Sequence, residues 1–401
     1  AIRVPSQSKT IAFFKFITPL FTSRREFSIS FKTFAIPKAL MNPFSPALQQ
    51  KMLAFEAFKR PVSLGSVTFS SPLLLAPMAG ICNVPFRRLM EKLGAGGTVS
   101  ELISCHGINY KNQRTLDMLR IHPEEKTAGL QLFGEDSQAM SEASEFAESF
   151  GPKFIDINMG CPVNKVVTKG GGSALLRELK NLSPLFSSIK KKLNVPLTIK
   201  IRTGWDHDHI NAHEVLKIAH DHGIEWVAIH GRTRTQQYTG HANWDYIESL
   251  NETKPLPLIG NGDLHHPVAV SDRLQKTKCD ALMIARGALR NPFIFLESLD
   301  PEYAQRKKSL FTGADYFEVI KVLLTYCEEA FKDERMILVQ MRKLIVWFAA
   351  GFPHAASFRG EIFSSQTISD CMKLTEDYFL GLGASQKFIN YDEVFMSSGH
   401  G

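Results

Sequence analysis

Residues 197–232 read LTIKIRTGWDHDHINAHEVLKIAHDHGIEWVAIHGR, and the order of structure in this stretch decides the fold. Two short apolar runs flank residues 211–222, where the apolar positions recur at helical spacing. The reading is strand, loop, return helix, strand, the length of a parallel βαβ unit. Alternation puts Leu197, Ile199 and Ile201 on one face of the first strand, with Thr198, Lys200 and Arg202 on the other. In the second strand Val227 and Ile229 oppose Ala228, His230 and Arg232. A strand covered on both faces should be almost continuously apolar. The polar residues near the carboxyl ends are therefore the informative ones. A lone histidine on a strand is more often a satisfied core residue than a functional one. A buried Lys200 left unpaired is costly, so an anionic or strongly accepting partner is expected.

The same unit repeats in both directions. Apolar runs recur at 73–76, 98–102, 128–133, 154–158, 257–260 and 281–285, with helical stretches such as 138–150 between them. Gln131 follows Gly129 on the face opposite Leu130 and Leu132, while Asp156 and Asn158 oppose Ile155 and Ile157. Eight runs in this rhythm favour an α/β fold of the (β/α)8 TIM-barrel type, with an open doubly wound sheet as the alternative. From about residue 314 the pattern changes to helices at 315–332, 334–350 and near 367–380. The expectation is a leader or poorly ordered extension over 1–65, a barrel over 66–310, and a smaller all-helical C-terminal domain over 311–401.

In a barrel the polar strand ends converge on one mouth. GNGD (260–263) and ARGA (285–288) end the seventh and eighth runs. Small residues there permit close backbone approach and Arg286 supplies a cation, the makings of a phosphate site. Cys161 lies in NMGCPVNKVVTKGGG, just beyond the fourth run and three residues after Asn158. A free cysteine is usually a small buried hydrophobe. In a Gly- and Pro-rich loop at the mouth it suits proton donation better than a Cys–His protease arrangement.

The net charge of +7 invites a nucleic-acid reading, but residues 1–40 hold seven basic side chains and one acid, leaving +1 for residues 41–401. Polyanion binding must come from local patches such as Lys190-Lys191-Lys192 or Arg306-Lys307-Lys308, each of which alone reads as a solvated helix end. The basic, Phe- and Ser-rich start precedes Met41 and reads as a flexible leader or over-extended start, or else as an organellar transit peptide. A cytoplasmic location is expected, mitochondrial in the transit-peptide case. The run 11–21 is too short to span a membrane. Six cysteines without a C-x-x-C pair support neither a metal site nor a secreted disulfide framework.

Taken in order, APMAGICNVPFR (76–87), GLQLFG (129–134), DINMGCPVNKVVTKGGGSALL (156–176), IKIRTGW (199–205), HGRTRTQQYTGHANWDYI (230–247), GNGD and ARGALRNPFIF resemble the tRNA-dihydrouridine synthases. The resemblance covers about residues 66–360, and the segment 342–362 is similar to the start of the family's helical-domain signature. It implies an FMN-bearing barrel and a helical domain that together grip tRNA, with NADPH as reductant. By that likeness Pro77, Met78 and Ala79 line the flavin, Gln131 bonds its edge, Lys200 faces its pyrimidine side and His230 lies near it. Asn261, Gly262, Asp263, Ala285 and Arg286 hold the ribityl-phosphate end. Cys161 is the acid that protonates uracil carbon 5, Asn158 reads the base edge, and Arg202 and Arg232 contact the base or nearby phosphates. Asn83 stands where many relatives have Asp, and Ala285 where Gly is frequent, which puts flavin affinity in question. A monomer acting on tRNA, without metal or membrane, is expected. The alternatives are an FMN barrel acting on a free pyrimidine such as dihydroorotate, and an RNA-binding module with a vestigial barrel.

Overall fold

The computed structural model describes residues 42–303, 309–383, 389–393 and 395–396. The leader before residue 42 and the Arg306-Lys307-Lys308 run lie outside the described residues. The first strands are a short antiparallel hairpin, β1 (Val62–Leu64) and β2 (Val67–Phe69). It leads into β3 (Leu73–Leu75), β4 (Thr98–Ser104), β5 (Ala128–Phe133), β6 (Phe154–Met159), β7 (Leu197–Arg202), β8 (Val227–His230), β9 (Leu258–Asn261) and β10 (Ala281–Ile284). These eight form a closed barrel in the order β10-β3-β4-β5-β6-β7-β8-β9, all parallel. Because β10 pairs with both β9 and β3, the open-sheet alternative is excluded.

Alternation along each strand divides the apolar residues between two cores. The outward set, among them Ile155, Ile157, Leu197, Ile199, Ile201 and Ile229, is fully buried against Met140, Ala143, Phe186, Val215 and Leu216 of the surrounding helices. The second core fills the barrel at the amino ends of its strands. There Phe69 of the hairpin, Phe154 and Trp226 meet edge to face, with ring centroids 4.9–6.1 Å apart. Such pairs add about 0.5–1.5 kcal/mol beyond their area. A Cβ on Gly129 would lie 2.1 Å from the Phe154 ring, so only glycine admits this plug. One end of the barrel is thereby closed and dry.

Register then assembles the polar residues at the other end. Gln131 pairs with Asp156, Asn158 with Lys200, Arg202 with His230, and His230 with Asn261. Asn83 begins the helix Val84–Lys92, accepting the Phe86 N–H at 3.1 Å. An amide or a carboxylate oxygen serves equally as such a cap, so its departure from Asp preserves the helix start. The same helix carries a buried ion pair: Arg87 donates from Nε to Glu125 Oε1 at 2.6 Å and from Nη2 to Oε2 at 3.1 Å. Its remaining donors reach the Cys82 and Arg120 carbonyls. Glu125→Gln is expected to destabilise the chain by about 3–5 kcal/mol, because it leaves a buried guanidinium unneutralised. Urea unfolding with an unchanged m value is the check.

The helices Gly313–Ala330, Glu334–Ala349, Ala355–Ser364 and Ile368–Gly381 follow the barrel. Tyr316, Ile320, Leu323, Met341, Ile345, Phe348 and Phe379 form their shared core. Arg88 joins them to the barrel, with its guanidinium 3.8 Å over the Tyr326 ring and Nη1 2.6 Å from Glu329. The expected leader or poorly ordered extension over 1–65 ends earlier, since residues from 46 onward are built into the fold. Pro46–Leu53 is helical, Ser45 Oγ donates to Glu318 at 2.9 Å, Lys51 pairs with Asp315, and Phe55 stacks on Phe311. Its apolar residues pack only once the helical module exists, which explains why no local pattern announced it. Among the described residues no helix is long and apolar enough to cross a membrane.

Candidate active site

The carboxyl ends of the strands surround a cavity of about 320 Å³. Pro77, Met78 and Ala79 after β3, Gln131, Asn158, Cys161, Lys200, Arg202 and His230 line it. So do Asn261, Gly262 and Asp263 after β9, and Ala285 and Arg286 after β10. Every expected site residue is in this lining except Arg232.

Arg232 is the correction. It is 2 % exposed and four of its five N–H donors are used inside the protein: Nε on the Thr239 carbonyl, Nη2 on the Gly240 carbonyl and Asp263, and Nη1 on His230 Nε2 at 3.3 Å. It therefore buttresses the site from behind. Arg202 lines the cavity but also holds the cysteine loop, donating from Nε to the Gly160 carbonyl at 2.8 Å and from Nη1 to the Thr233 and Gln237 carbonyls. Asn158 likewise has an internal duty. Its Oδ1 accepts the Cys161 N–H at 2.9 Å, and Nδ2 donates to Gln131 Oε1 at 2.7 Å, leaving one Nδ2 hydrogen for a ligand.

Burial sets the protonation of the central groups. It pushes the Cys161 thiol up, only partly offset by the Val163 N–H and Arg202, so the thiol keeps its proton at neutral pH. Lys200 donates to Asn261 Oδ1 at 3.1 Å, while Asn261 Nδ2 is fixed on the Met283 carbonyl at 2.7 Å. Burial, then Arg202, lowers the Lys200 ammonium to about 8, with Asp156 opposing them. Lys200 is thus still largely charged at pH 7, with donors to spare for an anion. His230 is driven well below its ordinary value by burial and then by Arg202, Lys200, Arg232 and Arg286. It is neutral, and since Nε2 faces the Arg232 donor, the proton sits on Nδ1.

At the opposite side the N–H groups of Gly262, Asp263 and Arg286 make no protein hydrogen bond among the described residues. Gly262 has φ +132°, and a Cβ there would sit 2.5 Å from Ala242 Cβ and 3.1 Å from His230 Cδ2. Burial raises the Asp263 carboxyl, but His265, the Ala242 N–H and Arg232 more than offset this and hold it below the usual carboxylate range. Its negative charge is therefore neutralised within the protein.

The sequence pattern of the family described as dihydrouridine synthase matches residues 74–380, spanning the barrel strands and the helical module. This chain belongs to the dihydrouridine synthase family. It is 37% identical over 303 residues to tRNA-dihydrouridine synthase B of Pseudomonas aeruginosa, covering 75% of this chain and 90% of that protein. It is 33% identical over 305 residues to the probable tRNA-dihydrouridine synthase of Rickettsia conorii, covering 75% and 91%. For tRNA-dihydrouridine synthase B of Xanthomonas campestris the identity is 35%, covering 79% and 96%.

Two parts of this family member's site escaped sequence reasoning. Tyr238 lies in the HGRTRTQQYTG segment and its ring sits 5.6 Å from the Arg202 guanidinium and 5.2 Å from that of Arg286. Only its place in that polar loop hinted at it. Met396, beyond the matched span, accepts from Arg286 Nη1 at 2.8 Å and lines the cavity. No local signal marks it, because the contact joins residues 110 positions apart. Asp156 showed in the strand alternation, yet its partners are visible only across strands. Among the described residues no cluster of His, Cys, Asp or Glu could hold a metal ion.

Proposed function

We propose that this chain is an FMN-dependent tRNA-dihydrouridine synthase that takes its electrons from NADPH. The observation that carries the reading is a protonated Cys161 sharing one cavity with a cationic Lys200 and a neutral His230. Family membership and the names of its relatives, tRNA-dihydrouridine synthases, support tRNA as the substrate.

The residues present fit a flavin mononucleotide. The unbonded N–H groups of Gly262, Asp263 and Arg286, with the Arg286 guanidinium, suit a phosphate, and Gly262 has no room for a Cβ between Ala242 and His230. Pro77, Met78 and Ala79 offer a backbone wall, Gln131 an amide, and Lys200 a positive charge for the pyrimidine side. When bound, the flavin supplies the hydride for carbon 6 of uracil, which NADPH replenishes.

The chain's own work is to hold the base, exclude water and move one proton. A uridine must leave its stack to enter the cavity, and the spare Nδ2 hydrogen of Asn158 suits an acceptor on its edge. Cys161 then gives its Sγ proton to carbon 5 as negative charge gathers on the ring. Arg202, which lowers the thiol's pKa from behind, favours the thiolate left by that transfer. The helical module supplies a second wall for the tRNA body.

Gly262→Val is expected to weaken FMN binding at least about tenfold, since its side chain must displace His230 or Ala242. Fluorescence titration with FMN reads this directly. The reading as a whole is tested with purified protein, NADPH and tRNA from a strain lacking dihydrouridine synthases. A yellow protein that forms dihydrouridine in that tRNA is the expected result. Failure to take up FMN, or turnover of free uracil or dihydroorotate without tRNA, overturns it.

A further inference from the structure

A chain of side-chain hydrogen bonds crosses the barrel mouth, and its polarity is fixed at both ends. At one end the N–H groups of Gly160 and Cys161 reach Asn158 Oδ1 at 3.3 and 2.9 Å. Backbone N–H groups only donate, so the oxygen of Asn158 must face the loop and its nitrogen must face Gln131. Asn158 Nδ2 donates to Gln131 Oε1 at 2.7 Å, which turns Gln131 Nε2 onto Asp156 Oδ2, again at 2.7 Å. At the other end Thr198 Oγ1 donates to Asp156 Oδ1 at 2.6 Å. Reversing either amide brings two donors or two acceptors face to face.

Asp156 is 4 % exposed and is not part of the cavity lining, so it has no direct access to a substrate. Among the described residues, the side-chain hydrogen bonds that lead from it to the Cys161 N–H run through the two amides. The carbonyl side of the cysteine loop has other anchors, Arg202 on Gly160 and Ser173 on Cys161. The N–H side has Asn158. We propose that Asp156 is a positioning residue, whose acceptor oxygens, relayed by Gln131 and Asn158, hold the Cys161 loop in the geometry needed for proton donation. Burial pushes its carboxyl to about 6, against the bonds from Gln131 and Thr198, so the acceptor is ionised at neutral pH.

The need is for an acceptor, not specifically for a charge. Asp156→Asn can keep the relay by turning its oxygen to Gln131 and its nitrogen to Thr198, whose hydroxyl also lies 3.4 Å from the Ile155 carbonyl. Asp156→Leu cannot. The inference rests on the proposed function only for its consequence in catalysis, so the test begins on flavin-free protein. Site-resolved alkylation of Cys161 by iodoacetamide, with hydrogen exchange over residues 158–163, reports loop order directly. Asp156→Leu should raise both rates about tenfold, one buried hydrogen bond's worth, while Asp156→Asn stays within about threefold of the parent. Gln131→Leu cuts the relay nearer the loop and should loosen it equally. The double variant should be no looser than either single one, because all three break the same chain.

Should Asp156→Leu fail to fold, Gln131→Leu carries the test, compared with Asp156→Asn. Parent-like protection in the Leu variants, additive effects in the double variant, or an Asp156→Asn as loose as the Leu variant overturns the relay. These outcomes stand whether or not the protein reduces tRNA. In the loaded enzyme, Asp156→Leu should slow the tRNA-dependent step more than Asp156→Asn, which removes the same charge from beside Lys200 but keeps the relay.

Discussion

Cys161→Ala is expected to lower dihydrouridine formation by about 10²–10⁴-fold, the usual contribution of a positioned general acid, while FMN binding and NADPH-driven flavin reduction stay within about twofold of the parent. The split follows from where the thiol sits. Cys161 belongs to the loop after β6, whereas the unbonded N–H groups and Lys200 that suit the cofactor lie on β7, β9 and β10 and their following loops. Loss of one small side chain from that loop leaves them in place. Burial keeps the thiol protonated, so the parent should hold its rate from pH 6 to 8 and lose it only as the raised thiol pKa is reached. Single-turnover reoxidation of reduced enzyme by tRNA isolates this step. A Cys161→Ala variant that reoxidises at the parent rate removes Cys161 from the chemistry.

Lys200→Met should act on the other half-reaction, slowing NADPH-driven flavin reduction by about 10²–10³-fold, the scale of one preorganised group facing developing charge. Its pH signature is distinctive. Lys200 titrates near 8 in the free site, so below that pH the cation is present and above it the cation is lost. An anion bound against it favours the charged form and moves the midpoint upward. The parent rate should therefore fall through one proton loss at or above pH 8, and Lys200→Met should be flat there. A limb that persists in the variant belongs to another group.

Much of this was written locally. Period-two runs with Leu197, Ile199 and Ile201 facing the helices gave strand, face and direction, since burial between a barrel and its helices demands that alternation. Polar residues at strand ends marked the mouth for the same reason: Lys200 or Asp156 inside an apolar stack is too costly without a purpose. The hairpin and the helix Pro46–Leu53 were illegible, because their apolar residues find partners far along the chain, Phe69 against Trp226 and Phe55 against Phe311.

The sequence by itself determined the barrel and its polar mouth, because both follow from residue types at short spacing, and the resemblance of its motifs pointed to the family. Tertiary structure alone decided what those polar residues do. It turned Arg232 onto Asp263, set the Met396 carbonyl on Arg286, and strung Asp156, Gln131 and Asn158 into one directional chain. Hydrogen bonds join donors to acceptors across strands, and which acceptor a given donor meets depends on register and closure, quantities that no single strand contains.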